Sequence, residues 1–161
     1  MEKIKNKDLM DYLLYGLEDD GISKKFERSK TFTPVYLARI QDFIVQGKII
    51  KQYYMVHYSI QNSDMMADPE VNIIKMDGEY YAYMFRNDYI GKYDIAILLE
   101  NNKLQFYPKL QSSIANFVNE IWMPNIKNQQ NISANEITNF LNNSFTSPEI
   151  DQILKDRAEM Y

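Results

Sequence analysis

Four carboxylates in one short stretch are the first residues that could do chemistry. Asp64, Asp68 and Glu70 lie within seven residues, and Asp88 follows after two strand-like runs. If those runs pair antiparallel, Asp68 and Asp88 come to the same end of a hairpin. Clustered carboxylates could bind Mg²⁺ or Ca²⁺, or share a proton in acid–base catalysis. Asp also forms turns by bonding nearby backbone, and we favour that role, so we expect no catalytic group, metal or other cofactor here.

The sequence contains no recognised catalytic motif. His57 is the only histidine, and a single histidine on a strand of mixed polarity is typical of a packed or surface residue. There is no cysteine, and no Ser-His-Asp set, Walker loop or H-E-x-x-H pattern. Only the carboxylates therefore keep an enzyme in consideration.

Tyrosines are the second signal, with thirteen in the chain and eight of them between Tyr53 and Tyr93. Because neighbours on a strand alternate faces, Tyr81, Tyr83 and Phe85 should share one face, opposite Tyr80. Tyrosine suits protein-binding surfaces, although cross-strand ladders or base stacking would also use it. We expect one set under helices and another exposed within an acidic rim of Glu79, Asp88 and Asp94. The candidate partner-binding residues are Tyr54, Tyr58, Tyr80, Tyr81, Tyr83, Asp88 and Tyr89.

The charge distribution limits the possible partners. The net charge is −4, with +2 in residues 1–60 and −6 in residues 61–161. This balance argues against a duplex-DNA or anionic-membrane surface, which would need clustered Lys and Arg, and it permits a basic protein partner. The charged N-terminus and the lack of a long apolar run predict a cytoplasmic protein that does not enter a membrane.

The hydrophobic pattern predicts an α+β fold: an antiparallel meander of about five strands flanked by N-terminal and C-terminal helices. The expected strands are 49–60, 71–76, 79–86, 93–99 and 104–107, with Asp77-Gly78 as a two-residue turn. The expected helices are 7–17, 33–47, one from Leu110 ended by Pro124, one opened by the capping box Ser133–Glu136, and one opened at Ser147. The polar run 125–131 would be a linker that divides a core domain, 1–124, from a helical extension, 125–161.

The stretch N-S-D-M-M-A-D-P-E-V-N-I resembles the G-D-x-M-x-D-P signature of small bacterial domains of unknown function found on mobile genetic elements. A later N-D-x-x-G-x-Y segment matches at residues 87–93. The carried-over positions are Asp64, Met66, Asp68, Pro69, Asp88 and Gly91, and Ser63 replaces the usual glycine before the first Asp. The resemblance implies a mobile-element origin and supplies no activity.

Two function classes follow from these observations. The first is a non-catalytic protein-binding domain that engages a host protein, for example a basic nucleic-acid-directed effector, as a counter-defence inhibitor. The second is a small metal-dependent enzyme using Asp64, Asp68 and Asp88. We favour the first.

Overall fold

The computed structural model describes residues 1–18 and 22–142, and its main feature is one antiparallel sheet. In this part of the chain, six strands follow one another in the sheet as a meander. They are β1 (Ser23–Phe26), β2 (Val35–Val45), β3 (Lys48–Gln61), β4 (Asp64–Met76), β5 (Glu79–Asn87) and β6 (Lys92–Ile95). The predicted class, an antiparallel meander with helices before and after it, is confirmed.

Helices cover one face of this sheet, which we call the helix face. They are α1 (Lys7–Leu14), α2 (Pro108–Phe117), a π-helical turn (Val118–Trp122), α3 (Met123–Gln129) and α4 (Ala134–Asn142). Their apolar side chains form the main core with Leu37, Met55 and Ile73, which are fully buried. No helix among the described residues is long and apolar enough to cross a membrane. The predicted helix at Ser147 lies outside the described residues.

The helix predicted over 33–47 is wrong, because this segment is strand β2. Its apolar residues reach helical spacing through a β-bulge: Gln41 and Asp42, between Ile40 and Phe43, lie opposite the single residue Lys51. An inserted residue turns a period of two into a local period of three, which imitates a helix. Gly47 ends a strand rather than a helix, in a two-residue turn with φ of 77°.

Two tight turns place the strands on either side of β4. The Asp77-Gly78 turn forms as predicted, with φ values of 52° and 79°. The residues between the predicted strands 49–60 and 71–76 are not a loop: the turn Asn62-Ser63 is followed directly by β4. Ser63 takes a φ of 69°, the left-handed conformation that glycine adopts most easily.

The predicted strand 93–99 is interrupted at Ala96. The backbone N–H of Ala96 bonds to the Tyr83 carbonyl, and the chain then leaves the main sheet. It forms a separate hairpin of β7 (Ile97–Glu100) and β8 (Lys103–Phe106). Ile97 of this hairpin packs on the face opposite the helices, together with Ile74 and Tyr83. The hairpin therefore covers one end of that face.

Pro124 does not end a helix, and the expected linker 125–131 is helical as far as Gln129. The π-helical turn directly precedes α3, Trp122 and Met123 at the junction have right-handed helical φ and ψ, and the helical run continues through the proline. Ile126 and Gln130 are completely buried. The Gln130 side chain accepts the Arg28 N–H at 2.7 Å and donates to the Thr33 carbonyl at 3.0 Å, which fixes the connection between β1 and β2.

The capping box before α4 forms in part. Ser133 Oγ accepts the Glu136 N–H at 3.1 Å, as expected. The Glu136 carboxylate does not return the bond, because it binds the Tyr12 hydroxyl and the Arg28 guanidinium. Glu136 therefore connects α4 to α1 and to the segment after β1.

Candidate functional site

The sheet face opposite the helices carries two rows of side chains that run across the strands. One row is Tyr36, Val56, Glu70, Arg86 and Tyr93, and the other is Ala38, Tyr54, Asn72, Met84 and Ile95. Tyr58 joins the first row by packing its ring 5.4 Å from that of Tyr36. We call this surface, bounded at one end by the β7–β8 hairpin, the tyrosine face.

Exposure of the tyrosine face rises from its centre to its edge. Val56 and Ala38 are buried between the rings of Tyr36, Tyr54 and Tyr58, which are themselves half-buried. At the β6 edge, Tyr93 is 60% exposed and Ile95 is 46% exposed. The result is a surface with an apolar floor, phenolic hydroxyl groups and an exposed aromatic side chain at its margin.

Only some of the predicted tyrosines lie on this open surface. Tyr54 and Tyr58 do, whereas Tyr81 and Tyr83 lie farther along the same face, against the cluster under the β7–β8 hairpin. Burial there raises the pKa of Tyr83 to about 12. Tyr80 lies on the helix face, where its hydroxyl donates to Asp11 of α1 at 2.6 Å.

The expectation that Phe85 shares a face with Tyr81 and Tyr83 is wrong. A β-bulge shifts the register, so that Asn72 pairs with Met84 while its neighbour Ile73 pairs with Ala82. Tyr83 is the extra residue, and the strand changes face after it. The Phe85 ring consequently packs 5.1 Å from Phe117 on the helix side.

Two of the carboxylates first considered for catalysis, Asp68 and Asp88, form hydrogen bonds with nearby backbone and side chains. Asp88 Oδ2 accepts the Ala67 N–H at 2.7 Å, and Arg86 Nε donates to Asp88 Oδ1 at 2.8 Å. Among the described residues, Asp68 accepts a hydrogen bond from the Asn87 side chain alone, at 3.1 Å, and the carboxylate that binds backbone there is Asp88. The hydrogen bond from the Arg86 guanidinium contributes most to keeping the pKa of Asp88 below its usual value, and the backbone bond from Ala67 adds to it.

Asp64 lies apart from the other two carboxylates, at the tip of the β3–β4 hairpin, opposite Gln61. Met66 is half-buried in β4, and Pro69 is buried in a bulge where Asp68 and Pro69 lie opposite His57. Gly91 turns the loop before β6 with a φ of 62°. Within residues 1–18 and 22–142, no three carboxylate or histidine side chains are grouped closely enough to hold a metal ion.

The predicted acidic rim is largely neutralised by neighbouring cations. Glu79 lies 3.7 Å from Lys3, and Asp94 lies 3.5 Å from Lys92. Asp88 is paired with Arg86. Tyr89 lies beyond the rim, where its phenol oxygen accepts a bond from Ser59 at 2.6 Å. Long-range attraction of a basic partner by this rim is therefore weaker than the sequence suggested.

His57 faces the helices and is a packing residue. Trp122 Nε1 donates to His57 Nδ1 at 3.3 Å, and the two rings meet edge to face at 5.5 Å. Burial lowers the pKa of His57, and the Asp68 charge opposes this only in part. The neutral ring then carries its proton on Nε2, which is buried with no hydrogen-bond partner among the described residues.

Glu70 and Asn72 are the polar residues that sequence reasoning did not assign to the surface. They lie two apart on β4 and so point the same way. Burial raises the pKa of Glu70, and Arg86 Nη1 lies 4.0 Å away. The Asn72 side chain bonds the Tyr83 hydroxyl, while Asn72 Oδ1 is buried without a donor in the described part of the chain. Tyr36 was missed because β2 was taken for a helix, although Val35, Leu37 and Arg39 alternate with it.

Comparison with known proteins gives one match. Neither the curated proteins nor the solved structures include a significant match to this chain. The match is to a family described as Domain of unknown function (DUF6908), over residues 6–132. That range runs from Asn6, the residue before α1, to Ile132, a buried residue after α3, and it contains the tyrosine face. The chain belongs to the DUF6908 family of domains of unknown function.

Proposed function

We propose that this domain is a non-catalytic binding protein whose tyrosine face engages another protein. The observation that carries the proposal is the pair of cross-strand rows, which no helix of the described residues covers and in which half-buried tyrosines surround an apolar floor. The described helices lie on the opposite face, and within residues 1–18 and 22–142 the β7–β8 hairpin covers one end of this one. Large rigid aromatic residues with a polar tip dominate the energetics of protein interfaces.

The chemistry of the rows favours a partner that brings hydrogen-bond donors and positive charge. Asn72 Oδ1 is buried and has no donor among the described residues, and Glu70 beside it has only Arg86 at 4.0 Å. Arg86 is shared with Asp88, so the row carries one cation for two carboxylates. An arginine or lysine side chain from a partner would supply the donors that these acceptors lack.

The biological setting of the proposal comes from the sequence. The D-x-M-x-D-P stretch resembles mobile-element domains, and the protein is acidic, with a sequence pI of about 5.1. A basic host protein that acts on nucleic acid fits both features, and binding it would make the domain a counter-defence inhibitor. Cytoplasmic location is part of this proposal.

The test is to immobilise the full chain and capture partners from host lysate with matched variants. Tyr93→Ala removes an exposed ring at the edge of the tyrosine face, and Tyr107→Ala removes one of similar exposure, 56%, outside it. Loss of a central interface tyrosine typically weakens a complex by about thirtyfold, so Tyr58→Ala should lose a partner that Tyr107→Ala retains, and Tyr93→Ala at the edge should weaken the same complex to a smaller extent. Glu70→Gln should weaken the same complex and reduce its sensitivity to salt.

Circular dichroism must show that each variant is folded before binding is compared. A protein captured equally by wild type, Tyr58→Ala, Tyr93→Ala and Glu70→Gln would not bind through the tyrosine face, and the proposal would then be wrong.

A further inference from the structure

A separate cleft on the helix face holds two lysines side by side. It lies between α1, strands β3 to β5 and Phe140 of α4, with a volume of about 230 Å³. Lys51 and Lys75 are direct cross-strand partners, so their side chains leave the sheet on the same face. On its other side, Lys75 is the cross-strand partner of Tyr80, and Lys75 Nζ lies 5.2 Å from the centre of the Tyr80 ring.

This pairing of like charges is unfavourable without an anion. Directly opposed like charges destabilise a strand pair, and neither lysine forms an ion pair within the described residues. Lys75 is also partly buried, which lowers its pKa; the charge of Asp11 opposes this shift, and the charges of Lys51 and Lys7 add to it. A titratable group that burial perturbs in a cleft is a candidate for a functional site.

The carboxylates that line the cleft are already engaged. Asp11 accepts Lys7 Nζ at 2.7 Å on one oxygen and the Tyr80 hydroxyl at 2.6 Å on the other. Glu18 accepts the Gly16 N–H at 3.1 Å. Their charges moderate the field of the lysines, but neither forms a salt bridge with Lys51 or Lys75.

The rest of the lining suits a small molecule with an apolar part. Leu14, Leu17 and the rings of Tyr15, Tyr53 and Phe140 form the walls. Pockets for drug-sized ligands occupy about 300–1,000 Å³, so this cleft would hold something smaller.

We propose that the cleft binds a small organic anion, a phosphate monoester or a carboxylate, with its charged group between Lys51 and Lys75. The apolar part of the ligand contacts the aromatic walls. The cleft and the tyrosine face lie on opposite faces of the sheet, so this inference does not depend on the proposed protein partner.

Calorimetric titration of the full chain at constant ionic strength tests the proposal, with phenyl phosphate and benzoate as probes. At least one probe should saturate a single site. Hydrogen bonds to a charged group contribute enough that Lys51→Gln or Lys75→Gln should each weaken binding roughly tenfold. Lys30→Gln removes the same charge at a side chain that is 92% exposed outside the cleft, and it should bind like wild type.

Each outcome bears on the proposal. Saturation by phenyl phosphate alone would assign a phosphate monoester, and by benzoate alone a carboxylate. Lys51→Arg should retain binding because the charge remains. Failure of both probes to saturate, or equal affinity in wild type and the two Lys→Gln variants, would overturn the proposal.

Discussion

At the scale of single residues, the polar groups that looked catalytic in the sequence hold the fold together. Asp88 binds the backbone of β4, and Asp68 accepts a hydrogen bond from the Asn87 amide. His57 packs on Trp122. A carboxylate that receives a backbone N–H on one oxygen and a guanidinium on the other is a weaker base, because both donors stabilise its charged form. On the tyrosine face, Asn72 Oδ1 has no donor among the described residues, and Arg86 lies 4.0 Å from Glu70.

His57 should make the protein less stable in mildly acidic solution. Burial lowers its pKa below the ordinary value of 6.5, so the unfolded chain takes up a proton at higher pH than the folded protein does. The contribution to stability is complete above pH 6.5, falls as the pH drops below that value, and levels off below the folded pKa. Urea unfolding at pH 5, 6 and 7 should therefore show a smaller change for His57→Gln than for wild type. Parallel curves for the two proteins would contradict this assignment.

At the scale of elements, turns and buried amides decide how the strands and segments meet. The turns at Ser63 and Gly78 both need positive φ, and only one of them has glycine. The buried amide of Gln111 connects α2 to the N-terminal segment and to β5. Buried hydrogen bonds of this kind, when all their groups are satisfied, fix the positions of the segments that they join.

Ser63→Gly should stabilise the protein. The left-handed conformation costs a residue with a Cβ roughly 1–2 kcal/mol, and the greater freedom of glycine in the unfolded chain offsets about 0.4–1 kcal/mol of that. We expect a net gain of about 0.5–1 kcal/mol in the free energy of unfolding. The reciprocal change Gly78→Ser should cost a similar amount, since no atom lies within 4 Å of a Cβ built at Gly78 and only the backbone conformation matters. Both are measured by urea unfolding, and a loss of stability in Ser63→Gly would contradict the argument.

Gln111→Ala should destabilise the domain by about 2–4 kcal/mol. The side chain is 1% exposed and accepts the Glu2 N–H at 2.7 Å, while its amide donates to the carbonyls of Glu2 and Ala82. Its loss leaves those backbone groups without partners. Gln105→Ala makes the same chemical change on the exposed side of β8 and should be nearly neutral.

Amide hydrogen exchange shows whether the loss of stability in Gln111→Ala is accompanied by detachment of the N-terminal segment. Faster exchange at Ile4, whose N–H bonds the Tyr80 carbonyl, would show that the N-terminal segment has detached. Unchanged stability in Gln111→Ala would show that water replaces the amide at no cost.

At the scale of the whole molecule, the two faces of the sheet have different roles. In the part of the chain that the structure describes, one face is buried under the four α-helices, and the other is covered only at the end occupied by the β7–β8 hairpin. An antiparallel sheet tolerates one solvated face, so the open tyrosine face needs no covering element for the fold to be stable. This asymmetry separates the proposed protein-binding surface from the proposed anion cleft.

The division into a core of 1–124 and an extension of 125–161 is a prediction that truncation can test. Ile126, Ile132 and Ile137 are buried in the main core. Removing each such side chain costs about 2–5 kcal/mol, and together they approach the ~5–15 kcal/mol total stability of a typical domain. A chain ending at Pro124 should therefore lose cooperative thermal unfolding, which the full chain should show. Retained cooperativity would place the boundary at Pro124 after all.

The sequence by itself determined the elements whose signals are local. Asp77-Gly78, the alternation in β3 and β5, and the Ser133 cap depend on residues a few positions apart, so a short window contains the cause. The Tyr-rich strands were likewise predictable as partly exposed, because alternation prevents them from sharing one core.

Tertiary structure alone decided which side chains share a face and which polar groups are occupied. The bulges in β2 and β5 depend on pairing with a neighbouring strand, and each changes the face of every residue beyond it. That is why the apolar residues of β2 have helical spacing and why Phe85 and Tyr83 lie on opposite faces of the sheet. The pairing of Lys51 with Lys75 and the unpaired oxygen of Asn72 depend on register and burial together, which a single sequence does not encode locally.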